Sequence, residues 1–332
     1  MKLKGNFKGR LLLLALISSL VISGCSANTT GVESTTVVET QVITVEEGQL
    51  AREYINELTT DFTKRIAGRE SEEAAANWIS ESLTAMGYEP LVETFEYEKE
   101  GLTLESQNVV IVKKGTTDQQ IIVGAHYDSS HKAAGADDNA SGVVVTMETA
   151  ERLLHKDLPY TVKFIFFGAE EVGKKGSIAY ADKMTEDEVS KTVLMINLDS
   201  LIAGDISYVY GSDGEKGMYR EWILDKAEEL ELSFETQTEN SEGFAPGTTG
   251  DWSDHFPFKE LGIPYVYFES TDWSLGNKDG YTQVSGDFGV EGRIWHTEHD
   301  TVQYMDEHLE GRIDEKLGSF VTLLMASLEN EF

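Results

Sequence analysis

Cysteine, proline and basic residues are all scarce in this chain of 332 residues. The one cysteine, Cys25, excludes an intramolecular disulfide and leaves no thiolate set for a closed structural metal site. Only five prolines beside 40% hydrophobic residues describe a chain able to bury a substantial core, not a disordered one. Lys and Arg number 27 against 59 Asp and Glu, a formal net charge of −32. Such an acidic body excludes recognition of nucleic acid or anionic lipid through charge. No internal repeat is present, and no linker-like stretch divides the chain after residue 46. The apolar run at 11–22 is too short for a lasting transmembrane helix. Lys2, Lys4, Lys8 and Arg10 precede it and Ser23-Gly24 close it, which is the form of an export signal over residues 1–24.

Val21-Ile22-Ser23-Gly24-Cys25 resembles the lipobox of bacterial lipoproteins, in which the cysteine is acylated and becomes the mature N-terminus. That resemblance implies a protein held on the outer side of the cell membrane by lipid alone. The plainer alternative is an ordinary signal with an incidental cysteine. Residues 25–46, rich in Thr, Val, Ser and Glu without helical periodicity, read as a flexible tether, and residues 47–332 as one domain.

Within that domain the pattern is first helical. Leu50, Tyr54, Ile55 and Leu58 share one face, and Ala74, Trp78, Ile79, Leu83 and Met86 share another before Gly87. After an extended stretch near 92–97, apolar runs at 108–112, 121–125, 162–167, 193–198 and 265–268 alternate with amphipathic segments at 142–154, 217–230 and 313–328. Buried β-branched runs separated by helices predict an α/β fold, with a mixed, mostly parallel central sheet flanked by helices on both faces. In such folds sites gather at the carboxyl ends of strands. The polar, Gly-rich stretches 241–250 and 271–293 read as loops lining that site.

Several of these runs end in chemistry. One leads into His126-Tyr127-Asp128-Ser129, the next into Gly168-Ala169-Glu170-Glu171, the third into Asp199. Gly135-Ala136-Asp137-Asp138-Asn139-Ala140-Ser141-Gly142 forms a Gly-bounded turn, and Trp295-His296-Thr297-Glu298-His299-Asp300-Thr301 adds imidazoles near the end. Singly each is weak, because Asp-Asp-Asn is usually only a turn and paired glutamates are commonly solvated. Together they are stronger: carboxylates directly after buried strands are costly unless paired or metal-bound. A His and carboxylate set without thiolates suits catalytic zinc.

In order and separation these five motifs resemble the family-28 zinc metallopeptidases, from about residue 50 to the end of the chain. The resemblance implies two zinc ions, one held by His126, Asp138 and Asp199, the other by Asp138, Glu171 and His296. It implies Glu170 as general base, Asp128 hydrogen-bonded to His126, and a cis peptide at Asp138-Asn139. Asp138 is chosen over Asp137, and His296 over His299, by the alignment alone. The expected activity is removal of the first residue from peptide or protein N-termini by a monomer. Two alternatives share the fold: single-zinc glutaminyl cyclases, and non-catalytic binding modules such as the transferrin-receptor ectodomain. His255 is expected to be a structural or pocket-wall residue and not a ligand. Tyr265, Tyr267, Phe268 and Trp273 belong either to the core or to a substrate pocket, where Glu269, Asp272, Asp279 and Asp287 would suit a basic side chain.

Overall fold

The computed structural model describes residues 45–238, 243–275, 283–286 and 292–332. The chain divides between Ile43 and Thr44, and the fold is that of the second unit. The expected signal at 1–24, Cys25, and all of the expected tether except its last two residues lie outside the described residues, as do parts of both expected site loops.

Among the described residues seven strands form one sheet: β1 (Leu91–Lys99), β2 (Leu102–Lys113), β3 (Gln120–His126), β4 (Thr161–Phe167), β5 (Thr192–Leu198), β6 (Ile206–Gly211) and β7 (Tyr265–Thr271). Their spatial order is β1-β2-β4-β3-β5-β7-β6. The middle strands β4, β3, β5 and β7 are mutually parallel, while β1, β2 and β6 pair antiparallel at the flanks. The mixed sheet expected from the sequence is present, with its parallel character confined to the middle.

Helices cover both faces, as doubly buried parallel strands require. On one face lie α1 (Gln49–Asp61), α2 (Glu70–Met86) and α3 (Gly142–Leu153), and on the other α4 (Lys175–Ala181), α5 (Glu186–Lys191) and, further on, α7 (Phe256–Glu260). The first face also receives α6 (Met218–Glu229), α8 (Val302–His308) and α9 (Arg312–Glu329). Its core is aliphatic, built from residues such as Ile121, Val123, Val143, Ile196 and Leu324. The opposite core is aromatic, with Phe167, Tyr180, Tyr210, Phe258 and Tyr267.

The chain joins this domain at a built anchor. Glu148, buried in the middle of α3, accepts the N–H groups of Gly48 (3.0 Å) and Ala51 (2.7 Å), so it caps α1 from another element. Arg152, one turn on, donates to Glu148 and to the carbonyls of Val45 and Glu46.

Two glycines shape the turn ahead of α3. Gly135 has φ 60, and a Cβ there would lie 2.4 Å from the Asp138 carbonyl oxygen. A Cβ on Gly142 would lie 2.5 Å from the Leu198 carbonyl oxygen. The start of α3 can therefore press against the end of β5 only because that position is glycine.

Candidate metal centre

The carboxyl ends of β3, β4 and β5 share one edge of the sheet, and each delivers polar residues there. His126 is the last residue of β3 and is 1% exposed. Its Nε2 lies 3.2 Å from Asp138 Oδ1 and 3.5 Å from Asp199 Oδ1. Asp138 comes from the turn 136–141, whose backbone leaves helical values at Asp138 and Asn139 and whose Asp138-Asn139 peptide is cis. The other oxygen of Asp138, Oδ2, lies 3.1 Å from His296 Nε2, which is itself 2.7 Å from Glu171 Oε2. Two groups result, His126/Asp138/Asp199 and Asp138/Glu171/His296, with the candidate ligand atoms of each within 4.8 Å of one another. Asp138 belongs to both and turns a different oxygen to each.

This donor set demands positive charge. Burial opposes protonation of His126, yet Asp199, Asp128 and Asp138 outweigh it and hold the imidazole well above its ordinary value. For His296 burial likewise opposes, and the Asp138 and Glu171 carboxylates win, raising it to about 11. Burial and the Asp138 charge push Glu171 up to about 7. Its Oε1 is buried and has no hydrogen-bond partner among the described residues. A carboxylate oxygen left so, beside imidazoles pressed on acids, is the arrangement a divalent cation relieves, and imidazole plus carboxylate suits zinc.

The neighbouring residues divide the work. Asp199 Oδ2 accepts from Ser253 Oγ at 2.7 Å, and Ser253 accepts from Asn197. Asp128, fully buried, accepts the N–H groups of Glu170 (2.9 Å) and Glu171 (3.1 Å), and its Oδ1 lies 3.4 Å from His126 Nδ1. It therefore ties the loop after His126 to the Glu170-Glu171 loop; His126 Nδ1 has no hydrogen-bond partner among the described residues, so the bond to Asp128 expected from the sequence is here a 3.4 Å contact. Glu170 is partly buried; desolvation, with Asp254, Asp199 and Asp128 adding to it against the pull of His126, moves its carboxyl well above the ordinary range. Three non-glycine residues here have left-handed backbones, Ala169 (φ 54), Ser200 (φ 56) and His296 (φ 55). Such conformations persist only where the surroundings enforce them.

Other expectations resolve plainly. Asp137 points away from both groups: it accepts from the N–H groups of Ile202 and Ala203 and from Gln283. His299 packs on Tyr304 and is in neither group. His255 is buried and stacked on Tyr265 and Tyr267, with Nε2 against the Gly250 carbonyl; burial lowers it to about 3. Tyr265, Tyr267 and Phe268 are core, and Trp273, partly buried, donates to Tyr210.

Four residues given no role in the sequence reading hold these loops. Arg65, fully buried, donates to the carbonyls of Tyr127, Ala134 and Gly135, bracing the His126 loop against the Asp138 turn. Glu72 accepts the Ala169 N–H at 2.8 Å and so fixes the residue ahead of Glu170. Asp300 accepts the N–H groups of Asp137 (2.6 Å) and Asp138 (3.3 Å). Gln283 is the fourth. For Asp300 a signal existed, since it lies four residues after His296; the others stand in ordinary local contexts.

The profile of Peptidase family M28 matches residues 108–321 of the chain. The chain belongs to that family. Among curated relatives, the Alkaline phosphatase isozyme conversion protein of Escherichia coli (strain K12) is 29% identical over 306 residues, 84% of this chain and 89% of the relative. Aminopeptidase YwaD of Bacillus subtilis (strain 168) is 34% identical over 170 residues, 49% of this chain and 35% of the relative. The Probable lipoprotein aminopeptidase LpqL of Mycobacterium tuberculosis (strain ATCC 25618 / H37Rv) is 32% identical over 118 residues, 35% of this chain and 23% of the relative. The chain thus spans about a third of YwaD and about a quarter of LpqL. Among solved structures, a zinc aminopeptidase from Bacillus subtilis superposes with TM-score 0.69 at 19% identity, covering 85% of this chain and 94% of that one. Porphyromonas gingivalis glutaminyl cyclase superposes with TM-score 0.66 at 22% identity, covering 85% and 98%. At these identities both share the family M28 fold, and the fold does not separate the two reactions.

Proposed function

We propose that this family M28 member is a di-zinc aminopeptidase that hydrolyses the first residue from peptides or proteins. The observation that carries the reading is Asp138, whose Oδ1 faces His126 and whose Oδ2 faces His296, the disposition of a carboxylate shared between two cations. His126, Asp138 and Asp199 would hold one zinc, and Asp138, Glu171 and His296 the other. When bound, the ions supply Lewis acidity, making a water more acidic and polarising the scissile carbonyl. Glu170 accepts the proton from the attacking water and returns it to the departing amine. Burial raises its proton affinity and nearby cations lower it, and the balance suits a group that must take and give a proton near neutrality. Asp128 keeps the Glu170-Glu171 loop against His126. The acid-rich centre favours a cationic α-amino group, which restricts cleavage to the first residue.

Cyclisation of N-terminal glutamine by a single zinc is the competing reading, and a non-catalytic module is a weaker one because all the expected ligands and the base are present. Purified protein with its zinc counted, incubated with peptides beginning in Leu, Arg, Lys and Gln, distinguishes them. The expected result is two zinc ions per chain and release of free amino acids. One zinc with pyroglutamyl product from the Gln peptide would replace the aminopeptidase reading with the cyclase.

Export and anchoring complete the proposal: residues 1–24 act as signal and Cys25 carries the lipid, with no nucleic acid partner. No helix of the described residues is long and apolar enough to cross a membrane. Cells fed a fatty-acid probe should label the wild-type protein, and the Cys25→Ala protein should stay unlabelled. Label retained on the variant would remove the anchor.

A further inference from the structure

The two halves of the centre are secured very differently. His126 ends a central strand and its side chain is 1% exposed, whereas the His296 side chain is 38% exposed and sits outside any strand or helix. The backbone of His296 is also left-handed, at φ 55. A ring so placed keeps its direction only if the segment behind it is fixed. Thr297 closes that segment from one side, its Oγ donating to the Ile294 carbonyl at 2.6 Å. On the other side stands Gln283, 1% exposed.

The Gln283 side chain uses both ends of its amide. Oε1 accepts the N–H groups of Ile294 and Trp295, each at 2.9 Å, so the two residues immediately before His296 are held on one oxygen. Nε2 donates to Asp137 Oδ2 at 2.6 Å. Asp137 in turn adjoins Asp138, and its Oδ1 accepts the N–H groups of Ile202 (2.8 Å) and Ala203 (2.9 Å), in the segment that follows Asp199. The main chain of Gln283 is pinned as well, donating to the Gly292 carbonyl and accepting from the Asp205 N–H. A single amide therefore spans the turn that carries Asp138 and the segment that carries His296.

We infer that Gln283 is a positioning residue that sets His296 against Asp138, and that it governs the zinc of the Asp138/Glu171/His296 group while leaving that of the His126/Asp138/Asp199 group unaffected. The inference rests on the di-zinc reading. Asp137 is the fixed point: it is anchored by two backbone donors besides Gln283, so loss of the amide releases the His296 side and not the Asp138 side. Partners that orient metal-binding histidines typically contribute about 10–100-fold in metal affinity.

The test titrates zinc alone into metal-stripped full-length domain against a chromophoric chelator, for wild type, Gln283→Met and Gln283→Asn. Methionine keeps the volume and removes both hydrogen-bonding ends. Asparagine keeps the amide but is one methylene too short to touch both partners, and it decides the matter if the methionine variant does not fold. The expected result is one zinc bound as tightly as in wild type and the other weakened about 10–100-fold. Two unchanged affinities would overturn the proposal. Equal weakening of both would overturn it too, since general loosening produces that pattern. Wild type binding a single zinc would instead overturn the di-zinc reading, and the inference with it.

Discussion

Replacing Glu170 by glutamine is expected to lower kcat by about two to four orders of magnitude, the usual worth of a positioned general base, with both zinc ions retained. Glu170 belongs to neither ligand group. Its N–H is held by Asp128 and that of its predecessor Ala169 by Glu72, so the backbone of the loop does not depend on the side chain. The amide keeps the shape of the carboxyl and cannot accept a proton. Loss of turnover with metal content intact therefore separates proton transfer from metal binding. Steady-state kinetics beside zinc analysis makes the measurement, and near-normal turnover in Glu170→Gln would remove the base from the mechanism.

The second large effect belongs to Asp138. Asp138→Asn should weaken both zinc ions by more than the about 10–100-fold typical of outer partners, leaving a protein that is folded and inactive. Burial opposes ionisation of this carboxyl, yet hydrogen bonds from His126 and His296 hold it below the usual carboxylate range, so it is the fixed negative charge between the imidazoles. The turn should survive the change. Asp300 holds the main-chain N–H groups of residues 137 and 138, and the Asp137 side chain is engaged elsewhere. Asp199→Asn provides the contrast, because Asp199 belongs to one group only. Zinc content and chelator competition on the two variants report the difference. If Asp138→Asn lost one ion and kept the other at wild-type affinity, the shared-carboxylate geometry would not describe the metal-bound state.

His126, Glu170, Glu171 and Asp199 were legible in the sequence because each follows a buried, β-branched strand, where an isolated acid or imidazole is costly. Asp138 was not separable from Asp137 by local pattern. Their distinction is tertiary: the donors that turn Asp137 aside are Ile202, Ala203 and Gln283, far away in the chain. Arg65 was hidden for a similar reason. Beside Lys64, just past a helix, it has the look of a solvated cation, and only the fold reveals three loop carbonyls around it, with burial lowering it to about 10. Glu72 stands in the first turn of α2, where an acid is ordinary; desolvation, with the Asp128 charge adding to it, raises it to about 8. Strand β6 escaped notice because it is short, six residues at the edge of the sheet. What the sequence carries well is periodicity along the chain; the braces of the centre depend on which loops meet.

The anchor at Glu148 and Arg152 has a mechanical side. Helix α3 starts at Gly142, directly after the turn that holds Asp138, and Arg152 lies ten residues further on, about 15 Å along the axis at 1.5 Å per residue. Tension applied along the chain ahead of Gly48 enters the domain at this far end through the carbonyls of Val45 and Glu46, and in the middle of the helix through the N–H groups of Gly48 and Ala51 on Glu148. It is shared between the flank of α3 and the start of α1 before it can reach the turn. A domain pulled by its N-terminal side is thus loaded through the side chains of α3 and the start of α1 together.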